Sequence, residues 1–231
     1  MLSQDEACRH LAEGLRDLGI EPLPSSTLAQ LWRYFTELMR WNRTMNLVAE
    51  APDQGVLENH FLDSLTLLPL LGEGPLLDVG TGAGFPGLAL KIARPELEVT
   101  LVEPRQKRVS FLRQVIRTLK LTGITVVADR LEGADQGFVE AHGLFPLITS
   151  RALNEIGPFL SLVEAIAPPG GRILCMKGPK ADEELAAWRK QSPASPFVQE
   201  RRIDFTLPFS GAGRTLLIFK KGNPHGVAPP V

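Results

Sequence analysis

Apolar positions follow two different rhythms along the chain. Over residues 1–72 the spacing is helical. Leu28, Leu31, Trp32, Phe35, Leu38 and Met39 fall three and four residues apart on one face, behind Ser25 and Ser26, which suit a helix cap. A second stripe of Phe61, Leu65 and Leu68 predicts a helix over about 58–70. From Gly74 onward, short apolar runs alternate with amphipathic stretches. The runs at 76–79, 99–102, 124–127, 147–149 and 172–176 read as strands, with helices expected near 86–94, 105–120, 155–167 and 181–190. Two further strands, about 198–206 and 214–221, have no clear helix between them and are expected to pair antiparallel. Alternating strands and helices predict a mostly parallel seven-stranded sheet with both faces covered, a three-layer α/β/α sandwich ending in an antiparallel hairpin. The expected divisions are an N-terminal helical extension over 1–72, an α/β domain over 73–221 and a flexible tail over 222–231.

At 231 residues and 44% hydrophobic content, the chain has material for one generous domain with an extension. No apolar run reaches the roughly 18 residues of a membrane span, and the longest candidate is broken by Thr66 and Pro69. The acidic start, Asp5 and Glu6, lacks the apolar stretch of a secretory signal. Cys8 and Cys175 lie far apart and outside any metal-spaced cluster, which points to a reducing, cytoplasmic setting and no metal. The net charge of −1 excludes binding to nucleic acid through a general basic field and requires any such contact to be local. Arg33, Arg40 and Arg43, and Lys177 with Lys180, are the candidate patches, whereas Arg105, Lys107, Arg108, Arg113 and Arg117 read as solubilising. With no heptads or long exposed apolar segment, a monomer is expected.

In an open parallel sheet, ligands bind beyond the carboxyl ends of the strands. Here those ends read Asp78-Val79-Gly80, Glu103-Pro104, Ala128-Asp129, Ser150-Arg151 and Met176-Lys177-Gly178. The first is followed by a loop containing Gly80, Gly82, Gly84, Phe85, Pro86 and Gly87, where small residues let a ligand approach the backbone. Glu103, 23 residues after Gly80, is placed to accept hydrogen bonds from ribose hydroxyls. This suits NAD or any other adenosine ligand. Asp78 beside the loop disfavours a pyrophosphate and favours the sulfonium and amino groups of S-adenosylmethionine. Asp129 and Glu132 are placed for the adenine amino group, and the backbone N–H of Leu131 or Glu132 for a ring nitrogen.

The run from Asp78 to Gly87, the strand end Val102-Glu103-Pro104 with Lys107-Arg108, Ser150-Arg151-Ala152 and Met176-Lys177-Gly178 resemble the bacterial 16S ribosomal RNA guanine-N7 methyltransferase family (RsmG, formerly GidB). So do Trp41-Asn42, Asn46-Leu47 and His60-Phe61-Leu62-Asp63-Ser64-Leu65. The resemblance spans about residues 30–180. It implies a Rossmann-like S-adenosylmethionine-dependent methyltransferase fold, with the cofactor held at Gly80, Phe85, Glu103, Leu131, Glu132 and Arg151. It also implies transfer of a methyl group to N7 of one guanine in the 530-loop region of 16S rRNA.

N7 presents a lone pair and no proton, so its methylation needs alignment and electrostatics but no general base. None of the four histidines sits in a nucleophilic triad context. Arg151 and Lys177 are expected to hold O6 or neighbouring phosphates, because a cation aimed at N7 would compete for its lone pair. Phe85 is expected to line the cofactor or stack on a base, and Asn46 and Asp63 to brace the extension against the sheet. The near-neutral charge suggests a structured or protein-covered substrate, the 30S subunit or an assembly intermediate. An NAD-dependent oxidoreductase is the first alternative, disfavoured because Tyr34, the only tyrosine, lies outside the sheet region. A methyltransferase acting on a small molecule or protein, and a non-catalytic adenosine sensor, are the others.

Overall fold

A computed structural model describes residues 2–132, 136–151 and 155–223. Ala152 and most of the expected tail, 224–231, lie outside the described residues. The sheet has seven strands in the order β3-β2-β1-β4-β5-β7-β6: β1 (Leu76–Val79), β2 (Val99–Val102), β3 (Ile124–Val127), β4 (Leu147–Arg151), β5 (Arg172–Lys177), β6 (Phe197–Thr206) and β7 (Gly213–Lys221). β1 to β5 are parallel, while β7 runs antiparallel to both β5 and β6. The expected hairpin is therefore present, with its second strand inserted next to the parallel set.

Side chains alternate across the sheet as a pleat requires. Leu76, Leu101, Leu174 and Ile218 face one core; Leu77, Val102, Ile173 and Phe219 face the other. The first core is covered by α5 (Gly87–Ala93) and α6 (Gln106–Thr118), and by helices of the N-terminal extension. The second is covered by α7 (Gln136–His142), α8 (Ile156–Val163) and α9 (Ala181–Gln191). Ala7, Leu31 and Phe61 share one cluster with Leu76, Leu101 and Leu216, so the extension packs into the core of the sheet.

Within the extension, α1 (Gln4–Asp17) has a capping box formed by Ser3 and Glu6, a local S-x-x-E signal that the periodicity reading passed over. The helix expected over the Leu28 stripe is α2 (Ser25–Met45), but Ser25 and Ser26 do not cap it. Pro24 is the N-cap and no side chain bonds there. The second expected helix begins earlier and is interrupted. It opens as α3 (Asp53–Val56), widens to a π turn over Leu57–Leu62 and closes as α4 (Asp63–Leu65). A 3₁₀ turn, Leu68–Leu70, follows at Pro69, which has no N–H to continue a helix. α7 was also not anticipated: with seven residues, it is too short for periodicity to declare it.

The extension and the C-terminal hairpin are joined through buried carboxylates. Glu58 Oε1 accepts from the N–H groups of Phe209 and Ser210 at 2.7 and 2.9 Å. Asp63 faces Arg151 of β4 and Arg214 of β7, at 3.5 and 3.3 Å. Burial pushes the Asp63 carboxyl up, and the two guanidinium groups pull it back. The bracing role expected for Asp63 is thus visible, whereas Asn46 is the left-handed residue that ends α2. Replacing Asp63 by Ala strands two partly buried cations. The expected cost is about 3–5 kcal/mol, read as a lowered urea midpoint with unchanged slope.

Candidate active site

The loop between β1 and α5 is held from three sides. Gly80, Gly82 and Gly84 all adopt positive φ, which no other residue type does cheaply. Beneath the loop, Asp78 Oδ2 accepts from Thr81 Oγ1 at 2.5 Å and from the Gly87 N–H at 2.8 Å. Glu103, at the end of β2, accepts from the Gly82 N–H at 3.0 Å and from the Arg105 N–H at 2.9 Å. From the extension, the Tyr34 hydroxyl donates to the Ala83 carbonyl. The packing is tight: a Cβ on Gly84 would stand 2.6 Å from that hydroxyl, and one on Gly87 would stand 2.6 Å from Leu101.

Above the loop opens a cavity of about 710 Å³, within the range of small-molecule sites. Gly80 to Ala83 form one wall, Glu103, Asp129 and Leu131 another, and Arg151 with His60 and Leu47–Ala49 of the extension the third. The loop's own hydrogen bonding limits what it can hold. Of the six N–H groups from Gly80 to Phe85, five already donate within the protein: Gly80 and Thr81 to Val102 O, Gly82 to Glu103, and Gly84 and Phe85 to Thr81 O. A pyrophosphate needs such groups free and no carboxylate alongside. A phosphate-free adenosine ligand does not, and each Glu103 oxygen keeps a second lone pair for a ribose hydroxyl. The donor set therefore fits S-adenosylmethionine better than NAD.

The model of the family described as rRNA small subunit methyltransferase G (GidB) matches residues 27–206. A relative named ribosomal RNA small subunit methyltransferase G from Desulfotalea psychrophila is 45% identical over 91% of this chain and 96% of its own length. Another of that name from Syntrophotalea carbinolica is 42% identical over 83% and 87%. This chain belongs to the rRNA small subunit methyltransferase G family. Among solved structures, a methyltransferase from Pyrococcus furiosus is similar in fold, with a TM-score of 0.55, 18% identity and coverage of 87% of this chain and all of the other. The N-methyltransferase NodS from Bradyrhizobium japonicum, in complex with S-adenosyl-L-homocysteine, has a TM-score of 0.52 at 14% identity over 82% and 99%.

The residues expected at this methyltransferase's site are only partly brought together. Gly80, Gly82, Phe85, Glu103, Asp129, Leu131 and Arg151 line the cavity. Asp78 and Gly84 lie in the loop's foundation, off the lining. Asp78 is wholly buried, its Oδ1 has no partner, and burial pushes its pKa up to about 6. Asp78 thus acts on the loop from below. Glu132 is exposed and also off the lining. Lys177 is off the lining, and its Nζ lies 2.8 Å from Glu184 Oε2 of α9, a carboxylate that a largely buried ammonium needs. Phe85 borders the cavity but is only 2% exposed, its ring packed against Tyr34, His60 and Phe61. Arg151 lies over the same ring, 5.1 Å from its centroid.

His60 is the residue the sequence reading undervalued. In the π turn, the Asp63 N–H reaches back to Glu58 O and His60 O, skipping the Asn59 carbonyl. That carbonyl accepts from Arg151 Nη1 at 2.8 Å, while Arg151 Nη2 lies 2.8 Å from His60 Nδ1. A guanidinium only donates, so Nδ1 is the acceptor and the imidazole is neutral with its proton on Nε2. Burial and the charges of Arg151 and Arg214 push the His60 pKa down to about 3. A depressed histidine pKa gives stability that is complete above the ordinary value of 6.5 and lost as pH falls towards 3. Replacing His60 by Gln is expected to flatten the decline in urea midpoint between about pH 7.5 and pH 5 relative to the parent.

Proposed function

We propose that this methyltransferase of small-subunit ribosomal RNA, whose methyl donor is S-adenosylmethionine, modifies N7 of a guanine in the 530-loop region of 16S rRNA. The proposed setting is the cytoplasm, the proposed acting form is a monomer, and the proposed substrate is the 30S subunit or an assembly intermediate. Among the described residues, no helix is long and apolar enough to cross a membrane, and no group of three or more side chains is arranged to hold a metal.

The observation that carries the N7 reading is the state of the groups around Arg151. The imidazole beside it has Nδ1 engaged and remains neutral, so it is not set up as a base. N7 requires none, since its lone pair is free in the major-groove edge. When bound, S-adenosylmethionine supplies a methyl group activated by a sulfonium. The chain's work is then alignment. Glu103 and Leu131 fix the adenosine end, the glycine loop sets the depth, and Arg151 stands on the opposite wall. Three of the five Arg151 N–H donors face Asn59 O, His60 Nδ1 and Asp63 Oδ2. The other two can meet the guanine O6 or a neighbouring phosphate without taking the N7 lone pair. Arg151 lines the cavity, and its second proposed role is in holding the cofactor.

The direct test is mass mapping of small-subunit RNA after incubation with enzyme and donor. One new N7-methylguanosine in the 530-loop region is the expected product; a methyl on another atom or another RNA rejects the reading. Replacing Arg151 by Ala is expected to lower kcat/KM for RNA about 100-fold, through lost alignment. Equal activity on deproteinised RNA and on 30S particles would reject the particle as the preferred substrate. Calorimetric titration settles the cofactor: binding of S-adenosylhomocysteine without NADH is expected, and the reverse would return the oxidoreductase alternative.

A further inference from the structure

We propose that the exposed face of α6, from the rim of the cavity to the open edge of β3, is the docking surface for the RNA backbone flanking the target base. This deepens the function proposed above and rests on it. Between Pro104 and Ala128 the chain carries six cations, Arg105, Lys107, Arg108, Arg113, Arg117 and Lys120, and no Asp or Glu. Since the whole chain has a net charge of −1, the remaining residues together carry −7. The molecule has therefore separated its charge, although its total is almost zero.

The placement is directional. Arg105 and Arg108 line the cavity at the start of the helix. Arg113, Arg117 and Lys120 rim a groove of about 400 Å³ at its far end, floored by Ile116, Leu121 and Ile124. The helix between them runs roughly 20 Å, at 1.5 Å per residue. Nucleic-acid strands place phosphates several ångströms apart, so such a track can neutralise a few in succession. Arg105, Lys107, Arg113, Arg117 and Lys120 are exposed. Among the described residues, no carboxylate forms an ion pair with any of these five; Arg108 alone approaches one, Glu103, at 3.7 Å.

The other candidate patches are different. Arg40 is paired with Glu37 at 2.5 Å, Arg43 borders a groove that also contains Glu50 and Asp53, and Lys177 is paired with Glu184. Arg40 and Lys177 are thus already answered by carboxylates, and Arg43 stands in surroundings of mixed charge. Cations also guard exposed strand edges, and β3 is such an edge. That need accounts for the cations beside the strand but not for Arg105, Lys107 and Arg108 at the opposite end of the helix.

The test measures RNA binding as a function of salt. Full-length protein carrying Arg113→Gln, Arg117→Gln and Lys120→Gln is compared with the parent on small-subunit ribosomal RNA by filter binding across about 50–300 mM KCl. Loss of three phosphate contacts makes the slope of log K against log salt shallower by about 2 to 3. S-adenosylhomocysteine affinity stays unchanged, which shows that the fold and cavity are intact. A control with Arg33→Gln, Arg40→Gln and Arg43→Gln keeps the parent slope. An unchanged slope in the α6 variant, or an equal decrease in the control, overturns the proposal. Because the mapped product of the parent enzyme is read separately, that failure is distinguishable from failure of the N7 reading.

Discussion

A buried guanidinium has to be answered on every side, and the answers to Arg151 come from outside its own strand. Asn59, His60 and Asp63 all belong to the interrupted helix of the N-terminal extension. The extension that buries this cation also supplies the groups that satisfy it, so the desolvation of the arginine is answered by the same segment that imposes it. The extension is thus part of the site. Its π turn matters for the same reason, since it lets a main-chain carbonyl turn away from the helix and towards the arginine. Asp63 is shared with Arg214, so the same junction also fixes the C-terminal hairpin.

The cofactor side is governed by a different economy. Parallel strands present their ends to one edge, and the first loop there has spent almost all its N–H groups on the protein itself. Asp78 and Tyr34, neither of them on the cavity lining, hold the loop from beneath and behind. This gives a rigid wall of small residues with an acid on the neighbouring strand. Such a wall suits a donor that carries positive charge and no phosphate. For the N7 transfer proposed above, donor and acceptor need only be held in line.

The sequence by itself determined the sandwich, the strand ends and the glycine loop, because period-2 and period-3.6 patterns and glycine spacing are local properties. It also placed Glu103 opposite the loop, since strand-to-strand spacing in a βαβ unit is nearly fixed. Only the tertiary structure decided that His60 meets Arg151, 91 residues away in the chain, and that Lys177 turns to Glu184. Likewise, a list of charges along the chain makes Arg113 and Arg202 look alike, yet Arg202 is paired with Asp182 of α9. Which carboxylates fold back to cancel a cation depends on contacts between distant segments, and the local pattern of residues does not encode them.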